Sequence, residues 1–376
     1  MELPPARLED WLRSRYFEAK IDISSSGVEP YSFAEMRSIV GLALDELENI
    51  SFHDSPTLGA RELRAAIAAR WGDGDPDRVL VANGSNEVLF LVMHATLSPG
   101  DEVVAVEPGY HTLWGVAQAL GCRVVPWRLG LDVNGATGRP NLEQLRALVS
   151  PRTRMVVANY PHNPTGVSLS RAEQRFLIDI CAEADTYLCW DAAFAELTHD
   201  GPPLPDPSLQ YEHAVSFGTL SKGYGLPGLR VGWCLAAPET LAACMRIRDY
   251  TTLALSPLVE LVATRAVQHA GRLLAPRLAQ ARRNRDLLDA WVERNQRCVS
   301  WVRPDGGVVA FPRLRHLKRT DGFCQRLMDE HGVLLVPGSC FDRPQHVRLG
   351  FGGPTAELEA GLARVSALFA AEGVPA

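Results

Sequence analysis

Short apolar runs alternate with helical patterns from residue 78 onward, and this alternation restricts the folds that the chain can adopt. The runs are continuously apolar and rich in β-branched residues, as in strands that are buried on both faces of a sheet. They predict strands in RVLVA, EVVAV, CRVVPW, RMVVANY, YLCWD, AVSFG and RVGWCLA. Strands of this type, separated by helices, predict an α/β fold with a largely parallel sheet that carries helices on both faces.

The pattern changes after Ala236 and predicts a second, smaller α+β domain. Two long helical stretches cover about 238–270 and 275–294, and short apolar runs and a last helix from about Thr355 follow them. We therefore predict three parts: an N-terminal segment that acts as a lid and packs on the small domain (1–47), a large domain (48–279) and a small C-terminal domain (280–376).

The composition argues against several kinds of partner. The 376 residues carry a net charge of −6 and no dense run of Lys or Arg, which argues against a nucleic acid ligand. None of the eight cysteines forms a Cys-x-x-Cys pair, so we expect no metal site and instead free thiols in a reducing cytoplasm. The N-terminal sequence is too polar for a signal peptide and no apolar run reaches membrane length, so we expect no membrane contact.

Two polar motifs follow predicted strands and offer groups to a ligand. NGSNEV places Ser85 and Asn86 between a strand and a helix, where backbone N–H groups and the helix N-terminus can bind an anion. NYPHNPTG places Asn163 in a sharp turn after a strand. Each motif alone is as compatible with a structural role, a helix N-cap for the first and an Asx turn for the second.

The strand YLCWD ends in a carboxylate, Asp191. Open α/β sheets bind ligands outside the carboxyl ends of their strands, which favours a ligand-binding role for this residue. Asp is also a favoured N-cap residue, so the cap of a following helix is the alternative at this position.

The stretch SFGTLSKGYGLPGLRVGW carries the most chemical information. Lys222 follows the strand AVSFG among small and apolar residues, where a lysine of lowered pKa can bond covalently to a carbonyl carbon. Thr219, Ser221 and Arg230 offer hydroxyl and guanidinium donors that suit a phosphate group. An exposed, solubilising lysine is the alternative for Lys222.

The same stretch contains GYGLPG, which matches the Gly-x-Gly-x-x-Gly pattern of dinucleotide-binding proteins. That fingerprint requires a helix after the glycines, whereas here Pro227 interrupts the motif and the apolar run RVGWCLA follows. We therefore reject a dinucleotide site. A lysine for covalent bonding, a phosphate grip, a turn Asn and a strand-end Asp are instead the parts that pyridoxal 5′-phosphate (PLP) requires.

The motifs NPTG, WD and SK(x)7R, in this order, resemble those of the fold-type I, aspartate aminotransferase-like (class I/II) family of PLP-dependent enzymes. The resemblance covers essentially the whole chain. It implies that the large domain binds PLP and that Lys222 is both the lysine that bonds to the cofactor and the catalytic base. It implies further that Asp191 pairs with the pyridine nitrogen, Asn163 hydrogen-bonds the 3-hydroxyl group and Tyr110 of EPGYHTL stacks on the ring.

The resemblance also implies how the phosphate and an amino-acid substrate are bound. The phosphate would be held by Ser85, Asn86, Thr219 and Arg230. Arg348 of HVRLGF matches the arginine that binds the substrate α-carboxylate, and Gly27 of SSSGVEPY matches the glycine that lines that site. Enzymes of this family usually form homodimers, which is the assembly that the resemblance implies here.

Two features depart from the family pattern. The family's usual tyrosine three residues after the aspartate is Phe194 here, so the phenol that normally donates to the 3-oxygen of the cofactor is missing. The tyrosine that commonly reaches the phosphate from the partner subunit is not evident in ISFHDSPTLG.

A closer resemblance narrows the predicted activity. LEDWLRSRYFEAKIDISSSGV, WDAAF and RIRDYTTLALSPLVE resemble PLP-dependent cyclases of the capreomycidine synthase type and their streptolidine-pathway relative, which cyclise hydroxylated arginines in antibiotic biosynthesis. This implies a lyase-type cyclase that removes the β-hydroxyl group as water and adds the guanidine intramolecularly. An ordinary aminotransferase is the alternative, disfavoured by Phe194 and the N-terminal segment. A non-catalytic PLP regulator is a second alternative, and it would need a DNA-binding extension.

An arginine-derived substrate requires a group that binds its guanidinium, and carboxylates suit this role through paired hydrogen bonds. The N-terminal region contains five candidates: Glu9, Asp10, Glu18, Asp22 and Glu29. Because most acidic residues in such a segment face solvent, the sequence does not single out one of them.

Overall fold

The structure is a computed structural model that describes residues 2–131 and 138–373. The helices are Arg7–Arg13 (α1), Phe33–Val40 (α2), Leu44–Glu48 (α3), Arg61–Trp71 (α4), Ser85–Thr96 (α5), Thr112–Ala119 (α6), Leu142–Leu148 (α7), Arg171–Glu183 (α8), Pro238–Arg248 (α9), Pro257–Gln268 (α10), Ala270–Arg294 (α11), Asp321–His331 (α12) and Thr355–Ala371 (α13). The strands are Ile21–Asp22 (β1), Val79–Ala82 (β2), Glu102–Glu107 (β3), Arg123–Arg128 (β4), Thr153–Asn159 (β5), Tyr187–Asp191 (β6), Ala214–Thr219 (β7), Gly232–Leu235 (β8), Val299–Ser300 (β9), Val309–Ala310 (β10), Arg313–Leu314 (β11), Val333–Leu334 (β12), Val336–Pro337 (β13) and Val347–Gly350 (β14).

A seven-stranded sheet forms the centre of the fold, in the order β2-β8-β7-β6-β5-β3-β4. Strands β7, β6, β5, β3 and β4 are parallel to their neighbours in this series, and β8 is antiparallel to both β7 and β2. The predicted α/β fold with a largely parallel sheet is confirmed, with β8 as the exception. Parallel pairs are usually joined by a crossover helix, whereas β7 and β8 are joined through a 3₁₀ turn at Pro227–Leu229.

Helices cover both faces of this sheet, because successive strand residues point to opposite sides. Val103 and Val157 pack in a cluster that includes residues of α5 and α9. Val104 and Val156 pack in a different cluster that includes residues of α7 and α8. With both faces buried, the carboxyl ends of the strands are the edge at which polar side chains reach a ligand.

The C-terminal part contains short strands outside the central sheet, in the order β10-β14-β13 and in the pairs β11-β9 and β1-β12. Val309 and Val347 from these strands pack in one core with Leu288 of α11 and Leu362 of α13. This packing gives the C-terminal part its own α+β core.

The prediction of one helical stretch over 238–270 is wrong, because two helices occupy it. Helix α9 ends at Arg248, and α10 begins at Pro257, where the fixed backbone angle of proline suits the first turn of a helix. Helix α11 continues through Pro276 to Arg294. The predicted boundary at residue 279 falls inside this continuous helix, and the division into domains stays a prediction.

The N-terminal segment contacts both parts of the fold. Strand β1 pairs in parallel with β12, and Leu8 of α1 packs against Phe311 and Phe341. Met36 of α2 packs instead in a cluster with Leu63 of α4 and residues of α10. The segment therefore spans from the C-terminal core to the helices beside the central sheet. Within residues 2–131 and 138–373, none of the helices combines the length and the apolar character needed to cross a membrane.

Candidate active site

The carboxyl ends of β5, β6 and β7 open into a cavity, and Asn159, Asp191 and Thr219 are the last residues of these strands. The predicted site residues that line the cavity are Ser85, Asn86, Tyr110, Asn163, Asp191, Thr219, Lys222, Arg230 and Arg348. Gly27 lies beside it, because a Cβ on this glycine would stand 3.3 Å from the backbone oxygen of Ser221. The fold thus brings the predicted residues together, and their individual roles stay predictions.

Lys222 follows β7 and directs its ammonium group into the cavity. Its Nζ donates a hydrogen bond to Oγ of Ser26 at 2.8 Å. Burial and the nearby charge of Arg348 lower the pKa of Lys222 to about 8, and the Asp191 carboxylate opposes the shift. A lower pKa increases the fraction of uncharged amine near neutral pH, which is the form that bonds to a carbonyl and accepts a proton.

Asp191 is a buried carboxylate at the end of β6. Burial raises its pKa to about 6, although a hydrogen bond from the Ala193 backbone N–H and the charge of Lys222 oppose the rise. The Ala193 N–H donates to Oδ1 at 2.8 Å, which is the geometry of an Asx turn. A turn rather than a helix follows Asp191, so the alternative of a helix N-cap is wrong.

The turn before α5 meets the Arg230 side chain and forms the phosphate end of the cavity. Gly84 has a positive φ of 84°, and a Cβ there would stand 2.6 Å from Nη2 of Arg230. The absence of a side chain thus lets the guanidinium lie against the helix N-terminus. Ser221 lies within 3.5 Å of Nη1 of Arg230, and its backbone N–H donates to Oγ1 of Thr219 at 3.1 Å. Guanidinium, hydroxyl and helix N–H donors converge here, so the residues fit a phosphate group.

Arg348 of β14 and Asn163 contact each other in the wall of the cavity. Nη1 of Arg348 donates to Oδ1 of Asn163 at 3.3 Å, and Nη2 donates to the backbone oxygen of Ser24 at 3.0 Å. Arg348 is only 2% exposed, and burial lowers its pKa to about 10. Its Nε has no hydrogen-bond partner among the described residues. A buried guanidinium with an unmatched charge suits a carboxylate ligand.

Tyr110 connects the cavity wall to the N-terminal helix α1. Its hydroxyl donates to Oε1 of Glu9 at 2.9 Å, and Nδ2 of Asn86 lies 3.4 Å from the same hydroxyl. Burial, together with the charge of Glu9, raises the pKa of Tyr110 to about 12. The phenol therefore stays protonated and acts as a hydrogen-bond donor near neutral pH.

Ser26 and Glu9 are among the cavity residues that the sequence does not single out. Ser26 stands directly before Gly27 in the SSSG motif. This motif alone does not predict a contact with Lys222, which the structure shows. Glu9 is one of five acidic candidates, and no local pattern distinguishes it.

Phe194 occupies the position where the family usually has tyrosine. The side chain is 2% exposed, lines the cavity and packs against Gly307, where a Cβ would stand 3.2 Å from the ring. The cavity wall at this point is therefore apolar.

A largely parallel sheet carries a lysine, a buried aspartate and a group of phosphate-type donors at the carboxyl ends of its strands. This combination defines the class of protein, a PLP-dependent enzyme of fold type I. Residues 27–365 match the model of the family "Aminotransferase class I and II", and the chain belongs to this family. The resemblance that the sequence motifs indicate is confirmed.

Individual relatives indicate which enzymes of this family the chain is similar to. The chain is 49% identical to the capreomycidine synthase of Streptomyces vinaceus over 367 residues, which cover 97% of this chain and 93% of that protein. It is 34% identical to the arginine–pyruvate transaminase AruH of Pseudomonas aeruginosa, with 83% and 81% of the two chains covered. The solved structure of the PLP-dependent cyclase OrfR superimposes with a TM-score of 0.93 at 43% identity, covering 99% of this chain and 98% of that one.

Proposed function

We propose that this protein is a PLP-dependent cyclase of a hydroxylated L-arginine in antibiotic biosynthesis. It would remove the β-hydroxyl group as water and add the substrate's own guanidine to Cβ, giving a capreomycidine-type cyclic amino acid. The observation that carries this proposal is the 49% identity to a capreomycidine synthase along 97% of the chain. An ordinary aminotransferase is less well supported, since AruH is only 34% identical.

The residues of the cavity fit PLP. Ser85, Asn86, Thr219 and Arg230 would hold the phosphate, and Lys222 would bond to the cofactor. Asp191 would pair with the pyridine nitrogen, Asn163 with the 3-hydroxyl group, and Tyr110 would stack on the ring. When bound, PLP supplies a conjugated ring that withdraws the electron pair left on Cα after deprotonation.

Lys222 acts as the general base and later as the general acid at Cα. Its Nζ removes the Cα proton and returns a proton to Cα once the ring has closed. A pKa near 8 lets the same amine accept and donate near neutral pH. Ser26, which accepts a hydrogen bond from Nζ, orients the amine.

Asp191 would supply negative charge to the pyridine nitrogen of bound PLP. Its pKa of about 6 means that the carboxylate is ionised at neutral pH and would pair with a protonated nitrogen. The Asp191 side chain is largely buried, which would limit the access of water to this pair.

Arg348 and Gly27 bind the substrate α-carboxylate, so that Cα faces Lys222. The Cα–H and Cβ–OH bonds break and water leaves. A guanidine nitrogen then bonds to Cβ and loses its proton, and Cα regains one. The net change is the loss of one water. Intramolecular addition that closes a six-membered ring gains from the high effective concentration of the attached guanidine.

We infer that the enzyme is a cytoplasmic homodimer. Seven of its cysteines are buried free thiols, as in proteins of reducing compartments. Exposed apolar side chains such as Phe52, Tyr250 and Leu253 offer surface that an interface would bury. Sedimentation at micromolar concentration tests the assembly, and a monomer would contradict it.

Mass spectrometry of the products tests the activity. Purified enzyme with PLP is incubated with 3-hydroxyarginine and, separately, with 3,4-dihydroxyarginine. A product lighter by one water that retains all four nitrogen atoms is expected from one of them. Stoichiometric 2-oxoacid would contradict the proposal and support the aminotransferase. Lys222→Ala is the control: it should abolish both product formation and the visible absorption band of lysine-bound PLP.

A further inference from the structure

Helix α1 carries Glu9 into the cavity from outside the central sheet. Leu8 is buried against Phe311 and Phe341, and Nε1 of Trp11 donates to the backbone oxygen of Leu335 at 2.8 Å. These contacts anchor the helix on the C-terminal core. Glu9 lies between the two anchors in sequence, is partly buried and lines the cavity.

The Glu9 carboxylate lies within electrostatic reach of the reacting groups. Oε1 accepts the hydrogen bond of Tyr110 at 2.9 Å. Burial lowers the pKa of Lys222 to about 8 and that of Arg348 to about 10, and the charge of Glu9 opposes both shifts. Glu9 therefore faces the same space as the proposed base and the proposed carboxylate-binding residue.

The charges of the cavity leave one carboxylate for a cationic substrate group. Of the lining residues that the structure describes, only Glu9 and Asp191 are acidic, whereas Lys222, Arg230 and Arg348 are basic. Asp191 is buried at the end of β6 and is assigned to the cofactor. Arg230 and Arg348 are assigned to the phosphate and the substrate α-carboxylate, so among the described lining residues Glu9 is the carboxylate left for a guanidinium.

We propose that Glu9 binds the substrate guanidinium and selects arginine-derived substrates, an inference that rests on the proposed function. A carboxylate accepts two parallel N–H bonds from a planar guanidinium, which also restricts its orientation. The Tyr110 hydroxyl holds Oε1 and so orients the carboxylate before the substrate arrives. Because the guanidine is also the group that adds to Cβ, its orientation bears on ring closure as well as on binding.

The neighbouring Asp10 offers a matched control. It carries the same charge on the same short helix, but its side chain is exposed and pairs with Arg13 at 2.9 Å. It does not line the cavity. Comparison of Glu9→Gln with Asp10→Asn therefore separates a contact with the substrate from the general effect of removing a negative charge from α1.

The test measures binding of L-arginine and L-citrulline to the PLP-loaded enzyme by titration calorimetry. Citrulline has a neutral urea in place of the guanidinium. A charge-assisted pair of hydrogen bonds contributes enough that Glu9→Gln should weaken arginine binding roughly 10- to 100-fold. Citrulline binding should change less than about threefold, since it has no charge to pair. Asp10→Asn should leave both ligands unchanged, and Glu9→Asp should recover part of the preference for arginine.

Three results would overturn the proposal. If Glu9→Gln weakens the binding of arginine and citrulline equally, the role of the Glu9 side chain is structural. If the wild-type enzyme prefers arginine and makes the cyclic product but Glu9→Gln keeps that preference, the Glu9 assignment fails while the proposed function stands. If the wild-type enzyme itself does not distinguish the two ligands, the proposed substrate class fails and the Glu9 assignment fails with it. Should Glu9→Gln not fold, Glu9→Asp provides the same comparison, with an unchanged arginine preference as the contrary result.

Discussion

The phosphate end and the substrate end of the cavity are built in different ways. At the phosphate end, Thr219 is the last residue of β7, Ser85 begins α5 shortly after β2, and Arg230 lies between β7 and β8. At the substrate end, Glu9 comes from the N-terminal helix and Arg348 from β14 of the C-terminal part. The phosphate end is therefore built at the edge of the central sheet, whereas the substrate end is assembled from segments that are far apart in sequence.

The substrate end is held together by contacts between those distant segments. Nη2 of Arg348 donates to the backbone oxygen of Ser24, and the Gly350 N–H donates to that of Ile23 at 2.9 Å. The N-terminal segment and β14 therefore form a unit beside the cofactor pocket. Because the two ends depend on different segments, we expect a substitution at one end to affect cofactor binding and a substitution at the other end to affect substrate binding.

The largest effect is expected at the substrate end, from Arg348→Gln. Removal of a buried guanidinium that pairs with the substrate carboxylate should lower kcat/KM about 100- to 1,000-fold. The cofactor band and PLP affinity should stay near wild type, because Arg348 lies outside the phosphate cradle. Steady-state kinetics and absorbance titration measure the two quantities. Exposed Arg319→Gln is the control, and loss of PLP from Arg348→Gln would break the proposed separation.

At the phosphate end, Arg230→Gln should weaken PLP binding and leave substrate binding nearly unchanged, the opposite of the effect expected for Arg348→Gln. The Kd for PLP should rise roughly 10- to 100-fold, since a charge-assisted contact to phosphate is lost. At saturating PLP, the KM for the substrate should change little. The exposed Arg175→Gln serves as the matched control. A selective rise in KM without a change in PLP affinity would contradict the assignment of Arg230.

Asp191→Asn should make the apoprotein more stable while it lowers the activity of the enzyme. Burial raises the pKa of Asp191 from an ordinary 3.8 to about 6, so above about pH 6 the folded apoprotein carries a charge that destabilises it. The apo variant should therefore be more stable than apo wild type by about 1–3 kcal/mol near pH 8. The difference should shrink as the pH falls from 6 and vanish below about 3.8, where both states are protonated.

Urea denaturation of the apoproteins at several pH values measures this difference. The Asn side chain keeps the oxygen that accepts the Ala193 N–H, so that hydrogen bond is not lost. The same variant should lose activity, because the cofactor nitrogen loses its charged partner. A variant that is less stable than wild type near pH 8 would contradict the buried-charge argument.

The smallest effect is expected from Phe194→Tyr. Addition of one hydroxyl to the apolar wall provides at most one new hydrogen bond, so the rate of cyclisation should change less than about tenfold. The ratio of cyclised product to 2-oxoacid is the informative measurement. A shift toward 2-oxoacid would tie Phe194 to the choice of reaction, and an unchanged ratio would remove it from that role.

Much of the cofactor pocket was predictable from sequence because its residues lie at or shortly after strand ends. Asp191, Lys222 and Arg230 sit at fixed offsets from continuous apolar runs, and parallel strands bring their carboxyl ends to one edge. The direction of β8 was not predicted, since an apolar run reads the same in either direction. The sequence pattern also did not reveal the break between α9 and α10, because apolar residues such as Leu253 and Leu255 continue through 249–256.

Short-range patterns in the sequence were enough to predict the type of fold, the cofactor class and the residues at the strand ends. The same patterns left five acidic residues in the N-terminal region as candidates, and the three-dimensional fold selects the one that lines the cavity, Glu9. That choice depends on how Leu8 and Trp11 anchor α1 to segments more than 300 positions later in the chain. Contacts between segments so far apart leave no periodic signal, so Glu9 is distinguished by packing alone.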